Sequence, residues 1–207
     1  PVWAALIAVV VVMGIIGAIN GCVIAFLKVP PFIATLGMQT IVYGACQIIT
    51  NNQPMGGFKS SYSNVALGSF MKIPYLAFFA VAVGAYFLFL YNKTRHGKYM
   101  YAIGGNESAA QVAGVNVVAT LIRIYLLAGM MYGLAGFLVG AKAGGASTAT
   151  GFGYEPEAIA ACTIGGVSAN GGVGRVSGIL VGVLVFEALK ICLQFLGVDP
   201  AYTFVAQ

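Results

Sequence analysis

Residues able to do acid–base, nucleophilic or metal chemistry are few in this chain and lie far apart. The single histidine, His96, sits between Arg95 and Lys98, and the single aspartate is Asp199. Neither has sequence neighbours that would complete a catalytic triad or a metal-ligand set, so His96 reads as a solvated loop residue. Glu155 and Glu157 are two apart and project from different sides of a helix, which argues against a paired acid and base. Cys22, Cys46, Cys162 and Cys192 form no C-x-x-C pair and lie in or beside apolar sequence. They read as small apolar-environment residues rather than a metal or disulfide site. Glycine-rich residues 165–174 have Gly166 and Gly171 at the separation of a phosphate-binding loop, but Gly172 and Val173 stand where Lys and Ser or Thr are required. No catalytic residue, metal site or bound cofactor is expected of this chain.

Two charges remain that chemistry could use. Glu187 and Lys190 are three apart and can pair on one helix face. Each alone would cost about 2.5–3.5 kcal/mol at the centre of a bilayer, so a local pair, or Lys190 reaching outward, is expected before a proton relay.

A bilayer is the relevant solvent because 60% of the 207 residues are hydrophobic, only 7% are charged, and the mean hydropathy is +0.94. A soluble surface needs about 25% charged residues, and disorder needs the opposite balance. Barrel strands alternate over about ten residues, whereas this chain shows five long apolar runs, Val2 to Leu27, Phe32 to Thr50, Ile73 to Tyr91, Leu121 to Ala141 and Val176 to Leu196. Each approaches the roughly 20 residues that cross a bilayer. The expected fold class is therefore an all-α integral membrane protein, a polytopic transmembrane helix bundle. Residues 1–207 read as one transmembrane domain whose two ends look cut, since a further apolar run opens at Ala201.

The net charge of +5 comes from Lys and Arg scattered between runs, with no basic stripe for nucleic acid. Lys28, Lys93, Arg95, Lys98 and Arg123 place their loops in the cytoplasm, and Lys59 and Lys72 place Asn51 to Met71 on the opposite side as an irregular loop. Nine glycines break residues 142–175. The apolar piece Ala158 to Val167 is half a span, which predicts a short, broken or re-entrant helix inside the bundle. Charge does not fix its side.

Glycines four apart, Gly17 and Gly21, Gly129 and Gly133, Gly136 and Gly140, and Gly178 and Gly182, predict close helix packing. Gln39, Tyr43 and Gln47 stack along one face of the second run. That face is expected to turn inward, either as the wall of a hydrophilic pathway or as interhelical hydrogen-bond glue. Between Ala102 and Val117 one short helix is expected. Asn106 is a good N-cap, Glu107 complements the helix dipole, Gly114 suits the left-handed C′ position, and Ala109, Ala110 and Ala113 offer a smooth face to another protein.

The stretch TRHGKYMYAIGGNESAAQVAGVNV, Thr94 to Val117, resembles the cytoplasmic signature of permease subunits of bacterial simple-sugar ABC importers. PPFIATLGMQTIVYG at Pro30 to Gly44 and YEPEAIAACTIGGVSANGGVG at Tyr154 to Gly174 extend the resemblance over most of the chain, most like the galactose and methyl-galactoside branch. The resemblance implies that Asn106, Glu107, Ala109, Ala110 and Gly114 belong to a coupling helix that docks on an ATPase. Ser108 is inserted relative to the general Glu-Ala-Ala-xxx-Gly pattern, and its later Leu-Pro element is missing. The resemblance further implies a second permease chain, the same chain as a homodimer, an ABC ATPase subunit holding ATP and Mg²⁺, an extracytoplasmic sugar-binding protein, and residence in the bacterial cytoplasmic membrane. The expected activity is inward monosaccharide transport by alternating access. The rivals are an ATP-independent secondary transporter or channel, the same architecture carrying ribose, xylose, a nucleoside or a branched-chain amino acid, and a purely structural subunit.

Overall fold

A computed structural model describes residues 1–197; Asp199 and the apolar run from Ala201 lie outside the described residues. Among the described residues, five helices are long and apolar enough to span a membrane: α1 (Val2–Leu27), α2 (Pro31–Thr50), α4 (Tyr75–Lys93), α7 (Val117–Ala143) and α9 (Val176–Phe195). Shorter elements fill the connections. They are β1 (Met55–Gly56), α3 (Ser60–Leu67), β2 (Ser69–Phe70), β3 (Ile73–Pro74), α5 (Arg95–Gly105), α6 (Glu107–Val112), β4 (Gly145–Ala146) and α8 (Tyr154–Ile164). The chain divides into two compact units, residues 1–81 with 116–151, and residues 82–115 with 152 onward.

The first unit is organised by an antiparallel contact between α1 and α7. A Cβ built on Gly17 would collide with the backbone oxygen of Tyr125, and one on Gly129 with that of Met13. At Gly133 it would meet Val9 O at 3.0 Å, and at Gly21 the Ile122 Cα at 2.9 Å. These two backbones therefore touch along about three turns, which only glycine permits. Gly14, Gly21, Gly129 and Gly133 are buried accordingly. The third expected pair behaves differently. Gly136 has open space around its Cβ position, and Gly140 faces the Tyr62 hydroxyl rather than another spanning helix.

That hydroxyl belongs to α3, in the connection expected to be irregular. Tyr62, Val65 and Ala66 recur at helical spacing and turn inward, which lets an otherwise polar octapeptide fold against α7. The Tyr62 hydroxyl donates to Phe137 O at 2.8 Å, and its ring meets Phe137 edge-on at 4.9 Å. Burial pushes the Tyr62 phenol up, so it stays a donor at neutral pH. Next to α3, β2 and β3 form a hairpin turned by Met71 and Lys72, both at positive φ. This hairpin takes Ile73 and Pro74 out of the expected span, so α4 starts at Tyr75. The pairing of β1 with β4 ties the same connection to the end of α7. The α2 helix contacts α1 loosely and buries none of its residues within this chain.

In the second unit, α8 and α9 form a tight antiparallel hairpin. A Cβ on Gly178 would collide with Gly165 O, and one on Gly182 with Ala161 O. The half-span element is thus a real helix of 11 residues, stopped at Gly165 and Gly166, the latter at φ +81°. All four cysteines are free thiols; Cys22 and Cys162 are half-buried, and Cys46 and Cys192 are exposed on their helices.

If backbone contact at α1 and α7 sets the first unit, Gly129→Leu destabilises the chain by overpacking, by about 1–3 kcal/mol or more. Gly136→Leu, with space around it, is neutral. Thermal unfolding of the two purified variants in detergent, read against wild type, checks both, and equal losses would overturn the packing scheme.

Candidate functional site

The charged loop between α4 and α7 is built as two consecutive capped helices rather than the one expected. Thr94 opens α5, its Oγ1 accepting from Gly97 N at 3.1 Å and donating to Leu90 O at 2.6 Å. Gly97 is required here, because a Cβ would collide with Leu90 O. The sharp α4–α5 corner thus rests on one threonine and one glycine. His96, expected in solvent, is half-buried on α5, since the corner folds the first turn back toward α4.

At the far end of α5, Asn106 leaves the helical conformation at φ −160° and begins α6. Its Oδ1 accepts from Ala109 N at 2.9 Å, the expected cap. Glu107 occupies the first turn. Gly114 adopts φ +83° just past the end, which a side chain would strain. The backbone N–H of Val115 closes on Ala110 O at 3.0 Å. One expectation fails in detail: Ala110 is 4% exposed and turned into the protein, so it is not part of the outer face. Ala109 and Ala113 are exposed, and Val112, not singled out from the sequence, is 91% exposed at the tip. An apolar side chain so fully exposed on a short, doubly capped helix is a feature a partner protein could use.

This loop is fastened to the glycine-rich segment. The Tyr101 hydroxyl of α5 donates to Gly174 O at 2.9 Å, and the Tyr101 ring meets Tyr91 at 5.5 Å. A Cβ on Gly104 would lie 2.5 Å from Gly172 N, and one on Gly172 2.6 Å from Gly105 N. Gly171 and Gly172 both take positive φ. The turn joining α8 to α9 therefore lies against α5, on the same side as α6, which charge counting left open. Motion of α5 and α6 would be felt directly by the α8–α9 hairpin.

Deeper in the hairpin, Lys190 Nζ bonds both carboxylate oxygens of Glu157 at 3.0 Å each, and Glu187 stands 3.6 Å away. The local Glu187 pair exists, but Lys190 reaches across to α8 instead of outward. Glu157 was missed because 33 residues separate it from Lys190. The available signal was two charges in apolar sequence, each needing a partner. Glu155 and Glu157 both sit in the first turn of α8, where the helix dipole favours them. On α2, Gln39 and Tyr43 are exposed and Gln47 is half-buried, all along one face. Gln39, Tyr43 and Gln47 belong to the first unit, and α6 belongs to the second. Among the described residues no cluster of His, Cys, Asp or Glu could hold a metal ion.

The family described as branched-chain amino acid transport system / permease component matches residues 1–206. The galactose/methyl galactoside import permease of Escherichia coli is 43% identical over 99% of this chain and 63% of its own length. Its counterpart in Haemophilus influenzae is 41% identical over 99% of this chain and 63% of its own length. The ribose import permease of Bacillus subtilis is 38% identical over 91% of this chain and 59% of its own length. The chain thus spans under two thirds of the length of these curated relatives. No solved structure matches it. Together with five membrane-crossing helices, these matches make the chain a multi-pass membrane protein that belongs to the branched-chain amino acid transport system / permease component family.

Proposed function

We propose that this chain is the membrane-spanning permease component of an ATP-binding-cassette importer that moves a monosaccharide into the cytoplasm by alternating access. The observation that carries the reading is α6: a short helix capped at both ends by Asn106 and Gly114, with Ala109, Val112 and Ala113 exposed, in the basic loop. A small, stiff, exposed helix suits docking in a groove of an ATPase subunit, because a rigid helix transmits displacement while a flexible loop absorbs it. Through Tyr101 and Gly104 the displacement passes to the α8–α9 turn. ATP and Mg²⁺ belong to that ATPase, and this chain contributes no catalytic group.

The basic residues around α5 and α6 orient this loop to the cytoplasmic face of a bacterial inner membrane. A second permease chain, forming a homodimer, and an extracytoplasmic sugar-binding protein complete the importer. The galactose and methyl galactoside class is the preferred substrate, supported by the names of the relatives at 41–43% identity. The Gln39, Tyr43 and Gln47 face of α2 is a candidate stretch of the hydrophilic route, where hydroxyl-rich substrates need hydrogen-bonding walls. A secondary transporter would have no use for a capped docking helix.

Two outcomes follow in vesicles holding the full-length permease, its ATPase and its binding protein. Glu107→Lys, which puts positive charge at the positive end of α6, abolishes ATP-driven galactose uptake while the subunits still insert. Uptake that persists without ATP would overturn the importer reading. Asn106→Ala, which removes about 1 kcal/mol of capping, lowers uptake at equal protein level, whereas Asn106→Ser, which keeps a cap, retains it. Equal uptake by the two would separate α6 stability from coupling.

A further inference from the structure

The outer half of α9 carries a polar sector that packing inside this chain leaves uncovered. At about 100° per residue, Glu187, Lys190 and Gln194 fall within about 60° of one another around the helix. Gly182 and Phe186, the buried residues of α9, lie to one side of this sector, against α8. On the other side Val181, Leu184, Val185, Ala188, Cys192 and Phe195 make an unbroken apolar face, suited to lipid. A helix wholly surrounded by lipid would have no reason to segregate its polar residues so narrowly.

The charges at this sector do not balance. Lys190 is committed to Glu157, with both oxygens at 3.0 Å, and its ammonium lies 5.9 Å from the Phe186 ring centroid. Among the described residues Glu187 has the longer 3.6 Å contact to the same ammonium, and its side chain is 53% exposed, against 23% and 22% for Lys190 and Glu157. Two carboxylates therefore share one cation. Glu187 lies about 16 Å along α9 from Val176, near the middle of a hydrocarbon core of roughly 30 Å. A half-exposed carboxylate at that depth, with its cation already engaged, is not served by acyl chains and calls for a polar neighbour, which water or a hydroxylated molecule supplies.

We infer that Glu187, Lys190 and Gln194, braced by Glu157, form a polar wall of the route taken by the substrate. This inference rests on the importer reading and adds the residues that meet the sugar. A monosaccharide offers hydroxyls that both donate and accept. The wall answers with a carboxylate acceptor at Glu187 and an amide of both kinds at Gln194, while Lys190, bonded to Glu157, supplies positive charge beside them rather than a free donor. Glu157 holds Lys190 toward the wall and so acts as a positioning residue. The α8–α9 hairpin that carries the wall is the element fastened to α5, so the same displacement that reaches the turn would shift the wall.

Single cysteines placed in a cysteine-free version of the full-length permease, assembled with its ATPase and binding protein in vesicles, test this. A membrane-impermeant thiol reagent is attacked by a cysteine thiolate, which forms in water and not among acyl chains. Glu187→Cys and Gln194→Cys are expected to react at least about tenfold faster than Leu184→Cys and Ala188→Cys, because thiolate formation needs a wet environment. Galactose, present with ATP, is expected to slow labelling at 187 and 194 but not at 184 and 188. Inert cysteines at 187 and 194, equal rates at all four positions, or labelling that no transported sugar slows would overturn the wall. Protection by ribose and not by galactose would uphold the wall while removing the galactose assignment. Gln194→Cys removes no charge, so it carries the test if Glu187→Cys fails to insert.

Discussion

Everything in this chain follows from the solvent its helices must occupy. In hydrocarbon an unpaired backbone N–H or C=O has no water to turn to, so the spanning segments are helices, and irregular backbone is confined to places that protein covers. Apolar side chains, for their part, gain little by leaving lipid for one another. The helices of each unit are consequently held by the approach of backbones, which glycine alone permits at the distances found. Gly17 against Gly129 in one unit, and Gly165 against Gly178 in the other, are the same solution reached twice.

This constraint also explains which parts of the fold were legible in the sequence. The five spans and most of the glycine contacts follow from local composition, because a long apolar run has one stable fate in a bilayer. The end caps of α6 were legible for a similar reason: Asn106 and Gly114 act on groups within a few residues of themselves. What escaped was non-local. The α3 helix is a polar octapeptide whose helicity depends on Tyr62 finding Phe137, 75 residues away. The α5 helix depends on a non-local contact, the approach of Gly172 to Gly104, which nothing near Gly104 in sequence reveals. Ala110 looked like a surface alanine because nothing near it in sequence reveals that α6 lies against the protein on that side.

Lys190 is the clearest case of the difference. A local reading pairs it with Glu187, and that pair is present at 3.6 Å. The stronger bond runs to Glu157, and it becomes available only because the glycines of α8 and α9 bring the two helices close enough for the two charged residues to meet. The packing came first in the hierarchy and the electrostatics followed from it. The surplus carboxylate is a consequence of the same geometry, since one ammonium cannot fully serve two acids held on neighbouring helices.

The glycine-rich turn then acquires a meaning beyond packing. A turn needed only to reverse the chain could be built from fewer glycines and need not touch α5. Here Gly171 and Gly172, at positive φ, allow backbone-to-backbone contact with Gly104 and Gly105, and Tyr101 adds a hydrogen bond to Gly174. Contact through backbone rather than long side chains has little slack, because no rotamer can absorb a displacement. In the proposed importer a push on α6 would reach the base of the hairpin whose other end holds Glu157 and Lys190. In a solvent that offers no hydrophobic force between helices, small close contacts of this kind are both what holds a unit together and the stiffest path along which it can be moved.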